Sequence, residues 1–125
     1  MVERFGPDLL RGSLDLMILS ILAQGKAYGY QIQASLKEGS GDLVRVSAGT
    51  LYPVLHRLEA NSLIASSWDD SAGRKRKWYH LTAAGRARLQ SQTRQWDAYV
   101  AVIQRLLAPL RRNGWPELAG PAAPG

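Results

Sequence analysis

Three observations predict an α+β, mainly helical fold for this chain. Apolar residues recur at helical spacing in three short windows, Leu10 to Leu22, Ile32 to Leu36 and Leu51 to Leu58. Two alternating runs, 63–68 and 76–81, flank the turn cluster Asp69-Asp70-Ser71-Ala72-Gly73 and read as a hairpin. A long stretch after Thr82 then carries Leu89, Trp96, Val100, Ile103, Leu107 and Leu110 at steps of seven, three and four. A chain of 125 residues has room for one domain, or for one domain with an added helix.

In chain order, residues 1–8 read as a loose arm, because Pro7-Asp8 suits a helix start. Leu10, Leu14, Met17, Ile18, Ile21 and Leu22 then form one buried helix face, with a restart or kink at Gly12-Ser13 and a stop at Gly25. Tyr28-Gly29-Tyr30 opens a second helix, carried by Ile32 and Leu36 and ending before Gly39-Ser40-Gly41. The glycine at its start implies close packing against a neighbour. In the loop that follows, Val44 and Val46 alternate with Arg45, the pattern of a short extended piece.

The stretch from Ser47 to Leu63 is the one the rest is arranged around. Leu51, Val54 or Leu55, and Leu58 make its apolar stripe, Ser47 is placed to cap it, and Asn61-Ser62 to stop it. Opposite the stripe lie Ala48, Gly49, Thr50, Tyr52, His56 and Arg57, with no acid before Glu59. Small side chains followed by hydrogen-bond donors are what a helix needs to approach base edges and phosphates in a major groove. An ordinary amphipathic helix with a solvated face would look similar. In the hairpin, Ile64, Ser66 and Trp68 share one face; on the return arm Tyr79 and Leu81 share one face and Trp78 and His80 the other. Three helices and such a hairpin compose a winged helix-turn-helix over residues 9–81. Thr82 caps a long C-terminal dimerisation helix over 82–112, although Gly85 weakens its first turn. Pro109 is expected to kink or fray its end. The Pro/Gly/Ala-rich residues 113–125 read as a disordered tail.

Composition narrows the partners. The formal charge is +6, and between Ser71 and Trp96 there are seven basic residues and no acidic ones, four of them consecutive at Arg74, Lys75, Arg76 and Lys77. That favours a polyanion. Without cysteine there is no disulfide, thiolate metal site or thiol nucleophile. Two histidines, with no His–carboxylate–serine grouping and no phosphate loop, argue against an enzyme or a metal or cofactor site. The first residues lack the basic start and apolar run of a signal peptide, and Leu14 to Ala23 is too short to span a bilayer. Cytoplasmic location, with no membrane partner, is the expectation.

The motifs Leu10-Arg11-Gly12-Ser13-Leu14-Asp15, Tyr28-Gly29-Tyr30, Ser47-Ala48-Gly49-Thr50-Leu51-Tyr52-Pro53, Leu58-Glu59 and Gly73-Arg74-Lys75-Arg76-Lys77-Trp78-Tyr79 with Leu81-Thr82 span roughly residues 9–85. As an ordered set they resemble the PadR family of transcriptional regulators. The resemblance implies a DNA-binding winged helix that dimerises through its last helix and usually represses. The single closing helix is similar to the short-tailed subfamily. Two departures are Ala27, where many relatives carry histidine, and the Pro/Gly-rich tail.

The expected function is a sequence-specific transcriptional regulator, a repressor released by a small-molecule effector near the dimer interface. Its expected partners are a second copy of the chain and a pseudo-palindromic operator in double-stranded DNA. The candidate DNA contacts are Ser47, Thr50, Tyr52, His56 and Arg57 on the helix and Arg74, Lys75, Arg76 and Lys77 on the wing. Ser47 either caps or touches a phosphate, and Tyr52 either reads DNA or sits at the rim of the core. Leu89, Trp96, Val100, Ile103, Leu107 and Leu110 are the expected dimer seam. The resemblance further implies that a planar aromatic effector stacks on Trp96, near Val100, with Asp97 favouring a cation; the alternative is a Trp96 that only packs the interface. A sequence-tolerant architectural DNA binder and a winged helix that binds an acidic protein are the competing classes.

Overall fold

The computed structural model describes residues 13–71 and 73–117. The elements run α1 (Leu14–Ala23), β1 (Ala27–Tyr28), α2 (Gly29–Gly39), α3 (Ala48–Ala60), β2 (Ile64–Asp69), β3 (Arg76–Leu81) and α4 (Ala83–Asn113). The chain divides into two compact units, one through Gln92 and one from Thr93. The fold is mixed α+β and mainly helical, as expected.

α1 starts at Leu14 after Ser13 and buries Leu14, Ile18, Leu19 and Leu22 while Met17 and Ile21 pack alongside; the expected restart or kink at Gly12-Ser13 depends on residues outside those described. Leu19 lies outside the expected stripe; it is buried because this helix is apolar around most of its circumference, as interior helices are. The expected arm and Leu10 lie outside the described residues. α2 buries Gly29, Ile32 and Leu36. The following loop forms no strand, yet its alternation survives as burial: Val44 and Val46 point into the core and Arg45 outward.

The hairpin is part of a three-stranded sheet in the order β1-β3-β2. β2 and β3 pair antiparallel from Ile64↔Leu81 to Asp69↔Arg76, and β1 adds Ala27↔Tyr79 and Tyr28↔Trp78 on the other edge of β3. The sequence reading had no third strand, because two residues are too few to show an alternation. That short strand ties the α1–α2 connection to the wing and sets Tyr28 edge-on against Trp78, ring centroids 5.0 Å apart.

α4 opens on Thr82, whose hydroxyl bonds the carbonyls of Ser62 and Leu63 at 2.8 and 2.9 Å and accepts from the Gly85 N–H at 2.9 Å. Gly85 is no weakness in this helix. A Cβ there would fall on the Leu63 carbonyl and 2.8 Å from Leu81 Cδ1, so only glycine lets the first turn sit against the end of α3 and the sheet. The helix does not stop at Pro109 but continues to Asn113. Among the described residues no helix is long and apolar enough to cross a membrane.

Candidate nucleic-acid interface

α3 carries its functional face because its other face is fully committed. Leu51, Leu55 and Leu58 are buried in the core, with Val54 partly covered. The 3.6-residue repeat then turns Ala48, Gly49, Thr50, Tyr52, Pro53, His56 and Arg57 outward. Ser47 is the N-cap: its Oγ accepts from the Thr50 N–H at 3.3 Å and lies 3.3 Å from Thr50 Oγ1. Asn61 is the C-cap, and Ser62 takes the left-handed conformation that ends the helix.

Tyr52 lies between its two expected roles. It is 37% exposed, and its phenol end rests on Gly29 at the start of α2, where a Cβ would come within 2.7 Å of its ring carbon Cζ. The expected close packing of Gly29 is therefore contact with Tyr52. His56 lies one turn further on, tilted against the same ring with centroids 6.4 Å apart.

The basic residues divide into held and unheld groups. Arg57 makes a two-pronged bond to Asp15 of α1, 2.8 and 2.7 Å, which ties α3 to α1. Lys77 lies 3.5 Å from Glu59 of α3, whose carboxylate also accepts from the Ser66 hydroxyl. Those contacts, first the Ser66 hydrogen bond and then Lys77, hold the Glu59 carboxyl below the usual glutamate range, although desolvation pushes the other way. Arg76 stacks over the Tyr28 ring at 4.8 Å. Arg74 and Lys75, at the wing's tip, are exposed and form no ion pair among the described residues; Lys75 Nζ lies 5.4 Å from the centre of the Trp68 ring. None of this partition follows from four consecutive cations in a sequence. Alternation along β3 and the turn before it decide which head group meets α3 and which meets solvent.

Between the start of α2, the outer face of α3 and the wing runs an open groove of about 770 Å³. Tyr28 and Tyr30, Tyr52 and His56, and Trp68 with Arg74 to Lys77 line it, and among the described residues no carboxylate does. At its floor Tyr79 is buried, and burial first, then Glu59 and Tyr52, pushes its phenol above the ordinary tyrosine range. Tyr30 and Trp68 were absent from the expected contacts. Isolated exposed aromatics carry no periodic signal that a sequence reading could use.

In the unit from Thr93, the expected seam residues Trp96 and Ile103 are exposed, and Val100, Leu107 and Leu110 are partly covered. Tyr99, Val102 and Leu106 are also exposed, although the sequence reading left them out. The Trp96 and Tyr99 rings lie 6.1 Å apart, and Asp97 is exposed. In the first unit, Leu89 packs on the core of its own chain.

Comparison with known proteins agrees with this architecture. A family model described as the transcriptional regulator PadR-like family matches residues 18–91, from α1 into the first turns of α4. A transcriptional regulator of Mycobacterium tuberculosis is 40% identical over 87 residues, which cover 70% of this chain and 78% of that protein. The solved structure of a Clostridium thermocellum transcriptional regulator superposes with a TM-score of 0.74 at 31% identity, covering 78% of this chain and 96% of its own. A PadR-family regulator from Eggerthella lenta gives 0.72 at 36% identity, covering 80% and 86%. With this architecture, a basic wing and these likenesses, the chain belongs to the PadR-like family of transcriptional regulators, proteins that bind DNA and are not enzymes.

Proposed function

We propose that this chain acts as a homodimeric, sequence-specific repressor. Two copies joined along α4 lay their α3 helices into major grooves roughly 34 Å apart, one turn of a pseudo-palindromic operator. The observation that carries this reading is the outer face of α3: Thr50, Tyr52 and His56 stand exposed over a fully buried leucine stripe, beside wing cations with no acid among them. Phosphate contacts fix the register, and the α3 side chains discriminate bases. Selection of bound duplexes from a random pool tests it. Two inverted half-sites with centres about 10.5 base pairs apart are expected; a single asymmetric half-site, or no enrichment, rejects it.

The seam favours a second copy of the same chain. Trp96, Tyr99, Ile103, Leu106 and Leu110 repeat at steps of three and four, and the first four of them are exposed. An a/d stripe of this kind buries itself against a helix of the same pattern.

The effector reading rests on the same helix. The exposed Trp96 and Tyr99 rings with the Asp97 carboxylate nearby suit a planar aromatic cation. Such a ligand releases DNA only by binding the DNA-free geometry more tightly than the DNA-bound one. Titration with a cationic acridine dye should quench tryptophan fluorescence in the parent, not in Trp96→Phe, and weaken operator binding. No change in either rejects the effector site.

A further inference from the structure

The groove between α2, α3 and the wing holds two rim residues that the recognition helix and the basic run do not account for. Tyr30 is 72% exposed on α2, and its hydroxyl has no hydrogen-bond partner among the described residues. Trp68 is 62% exposed at the far end of β2, with Lys75 and Lys77 ammonium groups 5.4 and 5.9 Å from its ring centre. Neither side chain supports the core, where α2 uses Ile32 and Leu36 and β2 uses Ile64.

We propose that this groove seats one sugar–phosphate strand of the duplex, with the Tyr30 hydroxyl donating to a phosphate and the Trp68 ring packed on a deoxyribose. The inference rests on the DNA reading given above. A recognition helix in a major groove and a wing beside it flank one backbone strand, so whatever lines the space between them meets alternating anionic phosphates and apolar sugar faces. The lining matches that alternation: hydroxyl donors, flat rings and cations, and no carboxylate among the described residues. Lys77 is held by Glu59, while Arg76 and Lys75 lie over the Tyr28 and Trp68 rings, so Arg74 is the cation left without a partner among the described residues to neutralise phosphate at the groove's mouth. A small-molecule site would enclose most of its ligand; this groove is open-sided.

The test uses the full chain, a duplex obtained by selection, and copies of that duplex with one neutral methylphosphonate at each backbone position in turn. Tyr30→Phe should weaken binding about tenfold per half-site, the loss of one hydrogen bond to a charged group in each protomer of the dimer. It should also abolish the parent's sensitivity to a methylphosphonate at one phosphate. That phosphate should lie on the same strand as, and within a few nucleotides of, the one revealed by Arg74→Ala. Arg74→Ala should lower the slope of log affinity against log salt by about two units, one for each protomer of the bound dimer, whereas Tyr30→Phe and Trp68→Leu, being neutral changes, leave it unaltered. Trp68→Leu should weaken binding several-fold, and all three variants should melt like the parent. If the parent binds the duplex and both Tyr30→Phe and Trp68→Leu bind it equally well, the groove is left for some other occupant and the inference is overturned. A Tyr30-dependent phosphate on the opposite strand also overturns it. If the parent binds neither selected nor random duplex, the DNA reading itself fails, a result distinguishable from a failure confined to the two groove variants.

Discussion

At the scale of single residues, two glycines explain more of this protein than their composition suggests. Gly29 lets the Tyr52 phenol lie against the start of α2, and Gly85 lets α4 start against the Leu63 carbonyl. The two sites differ in what an added methyl would meet. At Gly29 it meets the end of a side chain that can swing away, whereas at Gly85 it meets backbone. Gly85→Ala is therefore expected to lose about 2–3 kcal/mol, in the range of overpacked cores. In a domain of this size each kcal/mol lowers the melting temperature by roughly 4–8 °C. Thermal denaturation checks it; a variant melting within a degree of the parent would show that the α4 start adjusts freely. The helix propensity scale predicts the opposite sign, since alanine is the better helix former by about 1 kcal/mol. A stabilised variant would thus discriminate cleanly between the two arguments.

At the scale of elements, a polar junction joins the wing to α3. The Ser66 hydroxyl and the Lys77 ammonium both meet the Glu59 carboxylate, so β2, β3 and α3 are tied at one point. The second tie, Arg57 to Asp15, fixes α3 to α1. Glu59 has a folded pKa below its ordinary value, so its contribution to stability is present above the ordinary glutamate pKa and disappears as pH falls through the lowered one. Both Glu59 and Lys77 side chains are about a third exposed, so the contribution at neutral pH is small, about 0.5 kcal/mol. Glu59→Gln should be less stable than the parent by that amount at pH 7 and equal to it near pH 3, measured by urea denaturation. A difference that persists unchanged in acid would mean the carboxylate's charge is not what matters there.

At the scale of the whole molecule, what remains uncovered is the apolar face on α4. Leu106 is 70% exposed, so it gives nothing to the core of its own chain. Leu106→Glu should leave the helical circular dichroism and melting of the first unit intact but shift the protein to monomer in sedimentation equilibrium. Losing the partner removes the second half-site's effective concentration, so affinity for a two-half-site operator should fall on the order of a hundredfold. A variant that remains dimeric with full operator affinity would place the seam elsewhere.

Local pattern alone specified the three short helices, the hairpin and the long closing helix. Periodicity and capping are properties of neighbouring residues: Ser47, Thr82, and the stripe Leu51, Leu55, Leu58 were legible without any fold. The charge run at Arg74 to Lys77 was legible too, and with it the expectation of a nucleic-acid partner. Tertiary structure decided what each of those charges touches. Asp15 and Arg57 are forty-two positions apart in the chain, and Glu59 and Lys77 eighteen, so no window of sequence shows that these cations are already paired. The same holds for β1, whose two residues become a strand only because β3 lies beside them, and for Gly85, which reads as a defect until the Leu63 carbonyl is packed on it. A side chain's local conformation is set by near neighbours along the chain; its free valences for a partner are set by whatever the fold brings against it.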